Sequence, residues 1–227
     1  MLSHELRTPV TTIYGGAQIL ASRGLRAGPR RALAADIAHE AERVYRIVED
    51  LVVLLQSERG DLVPVREPVA VGRLIVAAVE RELRSNPRLE IRYRGTTDAV
   101  ADEADEGLLT HVVRNLLDNA IRNAPDGGPI EVAVEAPADG IVVRVLDRGS
   151  GPGDQHRVGT IDPAGTRAGI TGGGLGLLVA ARLVEAMHGQ CWARTRADGG
   201  AEFGFAIWRS PALAVTPIAR DPERPAR

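Results

Sequence analysis

A histidine followed at once by a carboxylate stands near the start of the chain, in Ser3-His4-Glu5-Leu6-Arg7-Thr8-Pro9. An imidazole that attacks a phosphoryl group must be neutral at one nitrogen, and a carboxylate bonded to the other nitrogen fixes that tautomer. On a helix Leu6 joins an apolar seam, which turns His4 and Glu5 outward to solvent. Thr8 follows Glu5 by three residues on the same side, where its hydroxyl can orient a water. Pro9 lacks the N–H that would bond the carbonyl of Glu5, so a kink is expected just beyond the histidine. By itself a His-Glu pair on a helix is a weak motif.

Two further groups give it weight. Asn115-Leu116-Leu117-Asp118-Asn119-Ala120-Ile121-Arg122-Asn123 places Asn115, Asn119 and Arg122 on one helical face at steps of four and three. Asn is a poor helix former, so two on one face suggest a task beyond folding, against the plainer reading of a solvated polar face. Amide oxygens are hard ligands suited to Mg²⁺, an ion that keeps several waters and binds phosphate as well. Arg122 would then meet a phosphate oxygen. Farther on, Asp147-Arg148-Gly149-Ser150-Gly151 ends a strand with a carboxylate and two flexible glycines. A buried carboxylate there can accept the exocyclic amine of adenine, which guanine cannot offer. Gly172-Gly173-Gly174-Leu175-Gly176-Leu177 leads into a helix, and glycine N–H groups at a helix N-terminus make an anion site. A lone glycine run also reads as a loose loop.

The elements that must hold these residues are legible from periodicity. Leu6, Val10, Ile13, Ala17 and Leu20 recur at steps of four and three, a heptad seam on a first helix. After a loop at 23–29, a second helix over 30–56 carries Ile37, Ala41, Val44, Val48, Leu51 and Leu55 at the same spacing. Two antiparallel helices with one seam each cannot enclose a core. Pairing two hairpins into a four-helix bundle, a C2 homodimer, solves this, the alternative being a hairpin packed on the rest of its own chain. Gly15-Gly16 within the first helix costs about 1 kcal/mol per glycine relative to alanine.

Residues 58–68, with Gly60, Pro64 and Pro68, read as a linker between a helical region over 1–57 and a mixed region over 69–209. In the latter, helices are expected over 71–84, 105–123 and 175–188. Strands are expected over 89–94, 130–135, 141–147, 190–195 and 201–208. That order predicts an α/β sandwich, one mixed sheet with helices on one face. The proline- and charge-rich residues 210–227 read as a disordered tail.

Composition narrows the class. Hydrophobic residues at 44% and charged ones at 26% are ordinary for a globular chain. A net charge of −2 gives no electrostatic footprint for nucleic acid. All the basic residues except the histidines are arginine, which reflects base usage rather than chemistry. The single Cys191 excludes an internal disulfide and a cysteine metal cage, and beside Trp192 it reads as a buried small hydrophobe. No apolar run approaches the length of about 20 residues that spans a bilayer, so no membrane contact is expected of this chain itself. His39, His111, His156 and His188 have no ligand-like spacing and read as ordinary surface histidines.

Taken in order, H-E-L-R-T-P, N-L-L-D-N-A, D-x-G-x-G and G-x-G-L-G-L resemble the phosphoacceptor, asparagine and two glycine boxes of bacterial two-component sensor histidine kinases. The resemblance covers about residues 1–208 and is hard to reach by chance. It implies a dimerisation and histidine-phosphoacceptor hairpin joined to an ATP-binding catalytic domain of the kind shared with gyrase, Hsp90 and MutL. It implies ATP and Mg²⁺ as cofactors, autophosphorylation of His4, and transfer to an aspartate in the receiver domain of a response regulator. The implied location is the cytoplasm, as the catalytic portion of a sensor that can be membrane-anchored. Residue by residue, His4 becomes the phosphorylated side chain, Glu5 its orienting base and Thr8 the residue that positions water for dephosphorylating the regulator. Asn115 becomes the Mg²⁺ ligand, with Asn119, Arg122 and Asn123 near the nucleotide and Asp147 reading adenine. Gly149, Gly151, Gly172, Gly174, Leu175 and Gly176 shape the pocket and its lid.

Two departures bear on ATP. Residues 154–171, where the family carries a phenylalanine-containing box, hold no aromatic residue, and Asn123 stands where the family often has an aromatic. Both point to looser nucleotide binding. They motivate the alternative of a degenerate kinase acting as a scaffold or phosphoacceptor module.

Overall fold

The computed structural model describes residues 2–22, 26–124, 128–149, 159–160, 174–197 and 199–209, without the side chains of residues 2–4, 159 and 160. Helices α1 (Leu2–Ala21) and α2 (Ala27–Arg59) form the hairpin, and α1 runs continuously through Pro9. The glycine pair divides its roles. A Cβ on Gly15 would meet nothing, whereas one on Gly16 would lie 2.9 Å from Ile37 Cγ1, so Gly16 lets the two helices close on each other. Gly60 ends α2 in the left-handed conformation, its N–H bonded to the carbonyls of Gln56 and Ser57.

The heptad seam splits between two environments. Leu6, Ile13 and Leu20 of α1 and Ile37, Val44 and Leu51 of α2 are half-buried within the hairpin. Val10, Tyr14, Ile19, Tyr45, Val48, Val52 and Leu55 stay exposed. On a third side, Ile47 and Asp50 are buried, and Val53 and Leu54 pack on the core of the α/β domain.

That domain comprises β1 (Glu67–Val69), α3 (Val71–Ser85), β2 (Ile91–Gly95), β3 (Ala101–Ala104), α4 (Glu106–Asn123), β4 (Ile130–Glu135), β5 (Gly140–Leu146), β6 (Gly159–Thr160), α5 (Gly174–Ala186), β7 (Gln190–Thr195) and β8 (Ala201–Trp208). Among the described residues six strands form one mixed sheet in the order β2-β4-β5-β8-β7-β6, with only β2 and β4 parallel. Strand β4 shows why: Ile130, Val132 and Val134 alternate inward, giving the sheet one apolar face. Against it lie Ile75 of α3, Leu109, Val112 and Leu116 of α4, and Leu177 and Leu183 of α5. A helical region followed by an α/β sheet domain is thus what the chain forms.

Strands β1, β3 and β6 go beyond the periodicity. The first two pair antiparallel in a separate two-stranded sheet. Their sequences, EPV and ADEA, carry a proline and no run of branched residues, so local propensity gives no strand signal. Tertiary pairing makes them. Close by, Val65 N–H donates to Asp105 Oδ2 at 2.8 Å, while Asp105 Oδ1 caps α4 by accepting from Leu108 N–H at 3.0 Å.

The outer sheet face is held by charge. Glu202, 5% exposed, accepts from Trp192 Nε1 at 3.0 Å and Arg194 Nη2 at 2.6 Å, with Arg144 Nε 3.7 Å away. The indole lies over Gly204, where a Cβ would come within 2.4 Å of the ring. Glu202→Ala strips the indole N–H and the Arg194 guanidinium of their common acceptor and removes an ion-pair partner of Arg144. It is expected to lower stability by about 1–3 kcal/mol, read as a reduced urea midpoint at unchanged m-value. Cys191 is buried among these strands, which pushes its thiol up to about 12 and leaves it inert at neutral pH.

Candidate functional site

Helix α4 begins at the Asp105 cap and buries an apolar stripe on the sheet, which carries the face bearing Asn115 and Asn119 inward as well. Both amides are nearly sealed, at 5% and 1% exposure. Asn115 Nδ2 donates to the carbonyl of Gly176 on α5 at 3.1 Å and to Asp50 Oδ1 on α2 at 3.3 Å. Asn119 Oδ1 accepts from Asn123 Nδ2 at 3.3 Å, while its own Nδ2 has no hydrogen-bond partner among the described residues. Asn123 Nδ2 also donates to the backbone carbonyl of Asn119 at 2.8 Å. Arg122 and Asn123 are exposed at the last turn.

The end of β5 meets the end of α4. A Cβ on Gly149 would lie 2.2 Å from the Asn123 carbonyl oxygen, so only glycine allows that approach. Just before it, Asp147 is fully buried. Its Oδ1 accepts from the Gly149 N–H at 2.7 Å, and its Oδ2 has no hydrogen-bond partner among the described residues. Burial pushes the Asp147 carboxyl above its usual range, opposed by backbone hydrogen bonds and by the Arg196 guanidinium. A buried acceptor and a buried donor left unpaired are costly in a native fold, and a bound group that uses both removes the cost.

The third wall is the start of α5. Gly174 is left-handed, with φ of 64°, and a Cβ there would lie 3.3 Å from Glu5 Oε1 on α1. A Cβ on Gly176 would lie 3.4 Å from Asn115 Cγ, and Leu175 packs half-buried against the core. The helix N-terminus with its glycine N–H groups favours an anion. The structure thus gathers Asn115, Asn119, Asn123, Asp147, Gly149, Gly174 and Gly176 in one region and brings Glu5 to its edge. Thr8 is exposed on α1, where its carbonyl accepts from the Thr12 hydroxyl at 3.2 Å. Gly151, Gly172, residues 154–158 and 161–171 and the tail from residue 210 lie outside the described residues, as does the His4 side chain.

One histidine contradicts the expectation. His111, read from sequence as an ordinary surface residue, is 13% exposed at the α2–α4 contact, its Nε2 2.7 Å from Asp50 Oδ1. Neither residue has a sequence signal, because the contact joins positions 61 apart in sequence.

Comparison with known proteins agrees with this architecture. Residues 1–60 match the His Kinase A (phospho-acceptor) domain, and residues 104–211 match the histidine kinase-, DNA gyrase B- and HSP90-like ATPase family. The sensor histidine kinase ZraS of Escherichia coli O157:H7 is 30% identical over 98% of this chain and 46% of its own. The histidine kinase AdeS of Acinetobacter baumannii superposes with a TM-score of 0.62 at 25% identity, covering 90% of this chain and 97% of that one. The histidine kinase ThkA, solved in complex with the response regulator protein TrrA, shares the fold with a TM-score of 0.58 at 19% identity, over 92% and 60% of the two chains. The chain spans 24–56% of the length of such curated relatives. Among the described residues no helix is long and apolar enough to cross a membrane. With a phosphoacceptor hairpin and an ATPase domain of the matching fold in one chain, the protein belongs to the two-component sensor histidine kinases, of which it is a catalytic core.

Proposed function

We propose that this chain autophosphorylates on His4 from Mg-ATP and passes the phosphoryl group to an aspartate in a response regulator receiver domain. One observation carries the nucleotide site: near the meeting of α4, the β5 end and α5, Asp147 Oδ2 and Asn119 Nδ2 are buried without hydrogen-bond partners among the described residues. In this reading Asp147 Oδ2 accepts the adenine amine and Asn119 donates to the nucleotide's oxygens. Asn115 suits a divalent ion, since its amide nitrogen is committed to Gly176 and Asp50 and its oxygen is the hard ligand that remains. Bound there, Mg²⁺ would neutralise charge developing on the phosphates. The start of α5 and Arg122 supply further positive potential toward the phosphates.

In transfer, a ring nitrogen of His4 attacks the γ-phosphorus, the bond to the β,γ-bridging oxygen breaks, and ADP leaves. Glu5 holds the proton on the other ring nitrogen. The regulator's aspartate carboxylate then attacks phosphorus and the P–N bond breaks, restoring the imidazole. Glu5 lying against Gly174 supports this route, because the phosphoacceptor end of α1 reaches the glycine start of α5. Thr8 would orient a water for dephosphorylating the regulator. The exposed stripe from Val10 to Leu55 supports a homodimer through the hairpin, since an uncovered apolar face of this extent favours a second copy. The complex of ThkA with TrrA supports the receiver partner. The setting is the cytoplasm.

The test is incubation of the chain with Mg²⁺ and γ-labelled ATP. Acid-labile, alkali-stable label on the protein is expected. ATP hydrolysis with no phosphoprotein would sink the proposal, and absence of ATP binding would favour the scaffold.

A further inference from the structure

Helix α2 meets α4 through three polar side-chain pairs within five residues of α2. Arg46 Nε lies 3.7 Å from Asp118 Oδ2, Glu49 accepts from Arg114 Nη1 at 3.0 Å, and Asp50 Oδ1 contacts His111 Nε2 at 2.7 Å. The first two pairs are partly exposed and contribute modestly. Asp50 differs: it is buried, and the same oxygen also accepts from Asn115 Nδ2 at 3.3 Å.

A primary amide has a donor end and an acceptor end, and its partners decide which faces where. An ionised carboxylate accepts only, as does the Gly176 carbonyl. Together they occupy both N–H groups of Asn115 and leave its oxygen as the end available to a cation. His111 donates Nε2–H to Asp50 and so holds the carboxylate in place from the far side. The orientation of the Asn115 amide is therefore set jointly by the Gly176 carbonyl and by a residue of the hairpin.

We propose that Asp50 is a positioning residue for the metal site: from α2 it fixes the Asn115 amide with its oxygen presented to Mg²⁺. The inference rests on the reading above that Asn115 holds the ion. Its consequence is regulatory, since the metal site is complete only while the α/β domain is seated on α2. A hairpin movement that parts Asp50 from Asn115 loosens the ion without touching the adenine contacts at Asp147.

The test is calorimetric binding of ATP to the full chain over a range of Mg²⁺ concentrations. Asp50→Ala is expected to raise the Mg²⁺ needed for half-maximal ATP binding by about 10- to 100-fold, the usual effect of losing an outer-shell partner. Metal-free ATP binding should be unchanged, which also shows that the variant is folded. Asp50→Asn keeps an acceptor oxygen and should recover part of the loss. Glu49→Ala breaks the adjacent α2–α4 pair without touching Asn115 and should keep the wild-type Mg²⁺ dependence. Wild-type Mg²⁺ dependence in Asp50→Ala overturns the inference, and so does an equal shift in Glu49→Ala, which would reduce α2 to a seat. If wild-type ATP binding ignores Mg²⁺ altogether, the assignment of Asn115 fails and takes the inference with it.

Discussion

His4→Gln is expected to abolish labelling of the chain from γ-labelled ATP while leaving ATP binding intact. Glutamine matches histidine in polarity and favours a helix at least as well, so α1 keeps its shape. What it lacks is a nucleophilic ring nitrogen, and the amide nitrogen cannot replace it. Phosphorus bound to an imidazole nitrogen is released by acid, because ring protonation makes a good leaving group, and survives alkali. Asn115→Ala should remove label by the other route. It leaves His4 untouched but takes away the proposed ligand for the ion that would neutralise the phosphates, an expected loss of about 100- to 1000-fold in rate. Label persisting in His4→Gln would move the acceptor elsewhere. Label persisting undiminished in Asn115→Ala would remove α4 from the metal site.

Asp147→Asn is expected to separate stability from binding. A hydrogen bond from the adenine amine to an ionised acceptor contributes about 1.5–3 kcal/mol, so its loss weakens ATP binding by about 10- to 150-fold. Stability should move the opposite way. Burial raises the folded-state pKa of Asp147 above that of the unfolded chain, with the Gly149 N–H and Arg196 offsetting only part of the shift. For a group shifted upward, the stabilising contribution is fully present below the unfolded pKa and is lost as pH rises through the folded one. At neutral pH, in the absence of nucleotide, the buried carboxylate therefore opposes folding. Asp147→Asn removes that charge, so its melting temperature at pH 7 should equal or exceed that of the parent, with the gain shrinking as pH falls toward the unfolded pKa of about 3.9. An Asp147→Asn chain that binds ATP as tightly as the parent would contradict the role given to this residue. One that is clearly less stable at pH 7 would contradict the account of its burial.

Much of this was legible because local physics reports it. The four-three spacing from Leu6 to Leu20 and from Ile37 to Leu55 identifies two helices, and both are present. The alternation in Ile130–Glu135 gives one apolar face, and β4 follows it. Asn115 and Asn119 stand out because asparagine has no reason to recur on a helix that packs on a sheet. Glycine needs more than composition. Gly15 and Gly16 look equivalent in sequence, yet only Gly16 faces Ile37, and Gly149 is tied to its place by a carbonyl 26 residues earlier in the chain.

The seam shows where periodicity stops. It identifies residues that want burial but not what buries them. Ile37 lies where Gly16 lets the two helices close, Val53 and Leu54 find the α/β domain, and Val48 and Leu55 stay exposed among the described residues. One helix with three differently occupied sides cannot be resolved from a single heptad.

The sequence by itself determined the helices, the principal strands, the mixed α/β class and the boxes of residues able to handle a nucleotide. Each of these depends on propensity, period or spacing along a short stretch. Only the tertiary structure decided that Asp147 and Asn119 are buried with unpaired atoms, that Glu5 lies against Gly174, and that His111 and Asn115 share Asp50. The Glu5–Gly174, Asp50–His111 and Asp50–Asn115 approaches join positions 61 or more apart, and burial and hydrogen bonding at such distances are set by packing, which no local pattern encodes.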